Sequence, residues 1–229
     1  MERNLATRTI VDICRRLAAA GFVAATDGNV SARTDQGTVL VTRSGVAKGD
    51  VGEEDIVEID LDGRPRSGSG SGRPSTECGM HLFVYRARPE VNAVVHAHPP
   101  YATGFATAGI ALDCCLLPEV IVGLGGIPLA PYATPSTPEV AASLAPFVAS
   151  HDAVLLANHG AVAWGASPLE AFHRLEKVEH AAHVTFVATL LGGARVLTAD
   201  ELNRLRAVAP AAYGRAVPDR PCATDPPAS

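Results

Sequence analysis

The chain has 229 residues, 47% of them hydrophobic, 19% charged, and a formal net charge of −5. That length suits one domain or at most two, with enough apolar material for a sizeable core. An acidic balance without a long basic stretch argues against nucleic acid as a partner, yet leaves room for a small anion at a locally positive site.

The opening stretch MERNLATRTIVDICRRL is interrupted by charges too often for a signal-peptide core, so a cytoplasmic location is expected. Leu5, Ile10, Ile13, Cys14 and Leu17 recur at helical spacing, and Gly21 is placed to stop that helix. The following ATDGNVSARTDQG reads as turns. TVLVT (38–42) and DIVEID (55–60) read as strands. Residues 63–74, GRPRSGSGSGRP, read as a mobile loop within one domain. Pro74 and Ser75 open a predicted helix carrying Glu77, His81 and Tyr85. VNAVVHAH (91–98) is a predicted strand ended by Pro99-Pro100, followed by a short helix over 101–107. VIVGL (120–124) reads as a further strand. A helix over 138–149 takes Thr137 as N-cap and Pro138 as its first residue. AVLLAN (153–158) and GAVAWG (160–165) form a predicted hairpin. The longest predicted helix spans 168–191, and a last one begins near Thr198. Residues 1–215 are expected to form a single domain and 216–229 a disordered tail. Mixed strands and helices without strict alternation point to an α/β fold of the α+β type, a mixed three-layer sandwich. No run of about 18 apolar residues occurs, so no membrane-spanning helix is expected. The five cysteines include no CxxC and are expected to be reduced, small buried apolar side chains.

The strongest chemical signal is VVHAHPP. Side chains alternate along a strand, so His96 and His98 share a face and can reach one metal ion. Two polar residues at a strand terminus would show the same pattern. His159 follows a second apolar strand and precedes a glycine that permits a tight turn. Three histidines at two strand ends match a catalytic metal site, with three protein ligands and one open position. Glu77 stands as a metal ligand, a general base or merely an acid favoured in a helix's first turn. Three turn segments offer backbone amides and hydroxyls to an anion: DGNVS (27–31), RSG (43–45) and Ser75-Thr76. His173, Glu176, His180 and His183 fall within about 80° of helical arc, at about 100° per residue. They flank an apolar stripe, so they read as the polar side of an amphipathic helix rather than a second metal face.

In this order GNVS, VTRSG, RPSTE, RPEVNAVVHAHPP, APYAT and NHG resemble the class II aldolase/adducin family, nearest to its L-fuculose-1-phosphate aldolase type. The resemblance runs almost to Tyr213. It implies a central, mainly antiparallel sheet between helix layers, and homotetramers with active sites between subunits. It implies that His96, His98 and His159 hold Zn2+, with Mn2+ or Co2+ as substitutes, and that Glu77 is the catalytic acid/base and an additional metal ligand when substrate is absent. Gly28, Asn29, Ser44, Gly45, Ser75 and Thr76 match the family's phosphate-binding positions, and Tyr213 aligns with a catalytic tyrosine. The implied reaction is reversible cleavage of a ketose-1-phosphate, of the fuculose or 5-deoxypentulose kind, through a zinc-stabilised enediolate to dihydroxyacetone phosphate and an aldehyde. Relatives of the same type use this metal site as epimerases, dehydratases or decarboxylases of sugar phosphates, and adducin-like domains keep the fold without catalysis. One departure stands out: LLPEVIVG holds no tyrosine where the fuculose type has one, and Glu119 is its nearest polar candidate.

Overall fold

A computed structural model describes residues 1–66 and 72–218; parts of the predicted loop and tail, 67–71 and 219–229, lie outside the described residues. Seven strands join one sheet in the order β3-β2-β1-β4-β7-β6-β5. They are β1 (Asn29–Arg33), β2 (Val39–Thr42), β3 (Ile56–Ile59), β4 (Ala93–Ala97), β5 (Leu129–Ala130), β6 (Ala153–Leu156) and β7 (Gly160–Gly165). Every pairing is antiparallel except that of β5 with β6.

Among the described residues the α-helices are α1 (Arg3–Ala19), α2 (Cys78–Ala87), α3 (Pro100–Ala108), α4 (Pro118–Leu124), α5 (Pro138–Val148), α6 (Pro168–Leu190) and α7 (Ala199–Tyr213), the last of which packs on α4 rather than on the sheet. Two apolar clusters show the layering. One joins α1, α3 and α6 to Val30, Val95, Leu155 and Ala163 on one sheet face. The other joins α2 and α5 to Val41, Val94, Val154 and Trp164 on the opposite face. The expected three-layer α/β sandwich with a mainly antiparallel sheet is therefore what forms, because period-2 strands with two apolar faces need cover on both sides.

Helix boundaries follow local chemistry. The Thr137 hydroxyl accepts from the Glu139 amide at α5, and the Ser167 hydroxyl accepts from the Glu170 amide at α6, each with proline next in sequence. At α7, Thr198 and Glu201 cap each other's backbone amides.

Four expectations need correction. VIVGL is helix α4, not a strand: Pro118 begins it, Gly125 at φ +78° ends it, and Val120 to Leu124 are all buried. A short apolar run buried all round looks the same in either conformation. GNVSAR is strand β1 rather than turn, because its polar residues Asn29 and Ser31 face inward to buried partners. Helix α2 starts three residues later than expected, since Pro74 bridges Arg43 and the Ser75 amide donates to the Thr42 carbonyl. Finally, Cys14 and Cys78 are free thiols as expected, whereas Cys115 is disulfide-bonded.

Candidate metal centre and anion cradle

His96 lies in β4 and His98 just beyond its end, so both project to the α2 side of the sheet. Asn29 of β1 pairs directly with His96 across the ladder. His159 sits in the β6–β7 turn, after Asn158 at φ +57°. Glu77 is the N-cap residue of α2. Four elements distant in sequence thus bring their ends to one point.

The three imidazoles offer nitrogens within 4.8 Å of one another. The His96 Nδ1 lies 2.9 Å from the Ala161 carbonyl, which only accepts, so Nδ1 carries the proton and Nε2 presents its lone pair. The His98 Nδ1 faces Asp27 at 3.4 Å in the same sense, and the two Nε2 atoms stand 3.2 Å apart. Lone pairs facing each other at that distance repel unless a cation lies between them. Two ligands on a tetrahedral ion with bonds of about 2.0–2.1 Å would stand about 3.3 Å apart. Glu77 closes the group, its oxygens 3.3 Å from His96 Nε2 and 3.2 Å from His159 Nε2. Its Oε1 is buried and has no hydrogen-bond donor among the described residues. Three converging imidazoles, two of them with Nδ1 turned to an outward acceptor, and an orphaned carboxylate oxygen fit a divalent metal ion.

Burial opposes ionisation of Glu77, whereas positive charge at the facing His96 and His159 positions outweighs it and holds the carboxyl well below its usual range. Burial, with His96 and His159 beside it, pushes His98 down to about 4. A neutral ring is the form that ligates metal.

Glycine is required at two points. A Cβ at Gly160 would lie 2.5 Å from the Ala97 carbonyl oxygen and 2.6 Å from His98 Cδ2. At Gly28, φ is +75° and a Cβ would meet Val23 at 2.8 Å and the His96 carbonyl at 2.9 Å.

Beside the histidines opens a cavity of about 430 Å3. Gly28, Asn29, Ser44, Gly45, Ser75, Thr76, Glu77, His98 and His159 all line it, so the three candidate anion turns and the histidine cluster share one space. His96 lies fully buried behind them. The Ser44 and Ser75 amides bond to the Arg73 and Thr42 carbonyls, which ties two of the turns together. Tyr213 is not in this lining; it is the exposed last residue of α7. Glu119 is exposed in the first turn of α4, where its carbonyl accepts from Lys177. The four polar residues of the long helix, His173, Glu176, His180 and His183, are exposed as expected, and the His183 ring stacks on Tyr101 at 3.9 Å.

Several lining residues escape sequence reasoning. Lys48 is buried, donating to the Thr26 and Val46 carbonyls at 3.0 and 2.7 Å. Arg43 pairs with Asp55 at 2.7 Å, and Ser136, at φ +63°, donates to the Thr76 hydroxyl. Asp27 and Arg43 did carry a signal, as members of the DGNVS and RSG turns.

Residues 8–186 match the family model described as Class II Aldolase and Adducin N-terminal domain. The chain belongs to the class II aldolase and adducin family. It is 33% identical over 199 residues to a 5-deoxy-D-ribulose 1-phosphate aldolase of Bacillus thuringiensis serovar kurstaki, covering 86% of this chain and 91% of that relative. It is 34% identical over 193 residues to a 3-oxo-tetronate 4-phosphate decarboxylase of Escherichia coli K12, covering 81% and 88%. A solved L-fuculose 1-phosphate aldolase superposes with a TM-score of 0.81 at 30% identity, covering 90% of this chain and 96% of that one. These class II relatives are carbon–carbon lyases, and the chain is an enzyme of that group.

Proposed function

We propose that this chain is a zinc-dependent aldolase that reversibly cleaves a ketose-1-phosphate, L-fuculose-1-phosphate-like or a 5-deoxypentulose phosphate, to dihydroxyacetone phosphate and an aldehyde. One observation carries the reading: the orphaned Oε1 of Glu77 faces three converging imidazoles inside a cavity lined by three anion-binding turns.

His96, His98 and His159 would hold the metal, with Glu77 beside them when substrate is absent. A bound zinc ion supplies a Lewis acid that polarises the ketose carbonyl and stabilises enediolate charge. Ser44, Gly45, Ser75 and Thr76, with the Gly28-Asn29 turn, would take the phosphate, so that binding energy remote from the breaking bond fixes the reacting carbons. Glu77, ionised at neutral pH, would remove the proton from the nucleophilic carbon of dihydroxyacetone phosphate in synthesis and return it in cleavage. Tyr213 would serve a neighbouring subunit of a homotetramer, consistent with its exposure and with Phe186, Leu190, Leu191 and Val208 left uncovered in one chain. Among the described residues no helix is long and apolar enough to cross a membrane, which fits the proposed cytoplasmic location.

The same site would also serve an epimerase, a dehydratase or a decarboxylase, and a decarboxylase is among the similar relatives. A non-catalytic adducin-like role is disfavoured by the intact histidine cluster and Glu77. A panel of ketose-1-phosphates and 3-oxo-tetronate 4-phosphate separates these readings. Release of dihydroxyacetone phosphate, measured with a coupled dehydrogenase, is expected from at least one ketose. Carbon dioxide from the oxo-acid alone would replace the aldolase by a decarboxylase.

A further inference from the structure

Behind Glu77 runs a buried polar chain in which the aldolase reading gives a role to Asn29 but none to Ser31, His81 or Tyr85. On β1, Asn29 and Ser31 share the inward face. Along α2, Glu77, His81 and Tyr85 stand four residues apart, one above the other. The two rows interleave. Asn29 Nδ2 donates to Glu77 Oε2 at 2.9 Å, and Asn29 Oδ1 meets His81 Nε2 at 2.5 Å. His81 Nδ1 meets the Ser31 hydroxyl at 2.7 Å, and Ser31 meets the Tyr85 hydroxyl at 2.7 Å. Asn29, Ser31, His81 and Tyr85 are each no more than 2% exposed.

With Glu77 ionised and His81 neutral, one set of proton positions satisfies this chain. An ionised Glu77 accepts and cannot donate, so the Asn29 amide must turn its NH2 group to the carboxylate. Its carbonyl then faces His81 and needs a donor, so His81 carries its proton on Nε2. Nδ1 is left bare and must accept from Ser31, whose oxygen in turn accepts from Tyr85. Every donor points toward Glu77. Burial suits both ends: it pushes the His81 ring down to about 3, which keeps it neutral, and raises the Tyr85 phenol, which keeps it protonated.

We propose that His81 is a positioning residue: its Nε2–H locks the Asn29 carboxamide in the one orientation that aims the Glu77 carboxylate at the histidine cluster. Without that donor the Asn29 amide is free to flip, and its carbonyl would then repel Glu77. This rests on the reading of Glu77 as the acid/base.

Two measurements on the zinc-loaded full chain test it. Nitrogen-15 spectra of histidine-labelled protein, with the His81 signals assigned by their loss in His81→Gln, are expected to show a neutral ring protonated on Nε2. A proton on Nδ1 would overturn the proposal. In kinetics, His81→Leu is expected to lower kcat about 10–100-fold while KM shifts by less than about threefold and zinc content is unchanged. His81→Gln, whose amide nitrogen reaches about as far as Nε2, is expected to restore kcat to within about fivefold. Equal losses in the Leu and Gln variants, or a loss confined to thermal stability, would assign His81 to the core alone and overturn it. If the unsubstituted enzyme turns over no ketose-1-phosphate, the aldolase reading fails by itself, and the ring tautomer still decides whether His81 orients Asn29.

Discussion

A strand's period of two puts His96 and His98 on one face whatever the rest of the chain does. The role of Gly160 was legible only in part. A glycine after His159 signalled a turn, but its contact with His98 comes from strands β4 and β7 lying side by side, which no local pattern records. Gly160→Ala would set a methyl against the Ala97 carbonyl and the His98 ring, where neither neighbour has room to retreat. Stability is expected to fall by about 1–3 kcal/mol, as for other overpacked sites. Zinc affinity, read by competition with a chromophoric chelator, is expected to fall at least about tenfold because the displaced ring is a proposed ligand. Unchanged affinity would show that His98 is held by something other than this close fit.

At the scale of elements, chain sense was easier to read than conformation. The caps of α5, α6 and α7 are spelled out in adjacent residues, so those starts were predictable from Thr137, Ser167 and Thr198. Helix α3 is different. It begins directly after β4 and His98, and its first-turn amides at Tyr101 and Ala102 donate to Glu179 of α6, at 3.0 and 2.8 Å. That cap is supplied from 78 and 77 residues away, so nothing near Pro100 announces it. The same long-range control explains VIVGL, whose surroundings rather than composition make it helical. Glu179 is buried, and its charge is satisfied by those two amides and the positive end of the helix. Glu179→Gln would turn one acceptor into a donor facing an amide, at a cost of about 1–3 kcal/mol in urea unfolding. A loss under about 0.5 kcal/mol would show that α3 is set by its packing on α6 alone.

Across the whole molecule, the layers were legible and the assembly of the site was not. Apolar patterning separates strands from helices, but the candidate centre joins β4, the β6–β7 turn and the start of α2, and its order depends on the entire sheet register. The consequence is energetic. Asn29, His81, His96 and Glu77 form a polar group driven between the sheet and α2, where an apolar core would otherwise continue. A cation bound there holds both layers, and it binds only the folded chain, in which the three imidazoles converge. At free zinc about a thousand times its dissociation constant, linkage adds about 4 kcal/mol to stability. For a chain of this size that corresponds to a fall in Tm of about 8–16 °C on removing the metal with a chelator. Re-addition of zinc should restore it at neutral pH and progressively less on acidification, because protons compete for the ligand nitrogens. If the chelated protein melts at the same temperature as the loaded one, the three histidines do not hold a metal that the fold depends on.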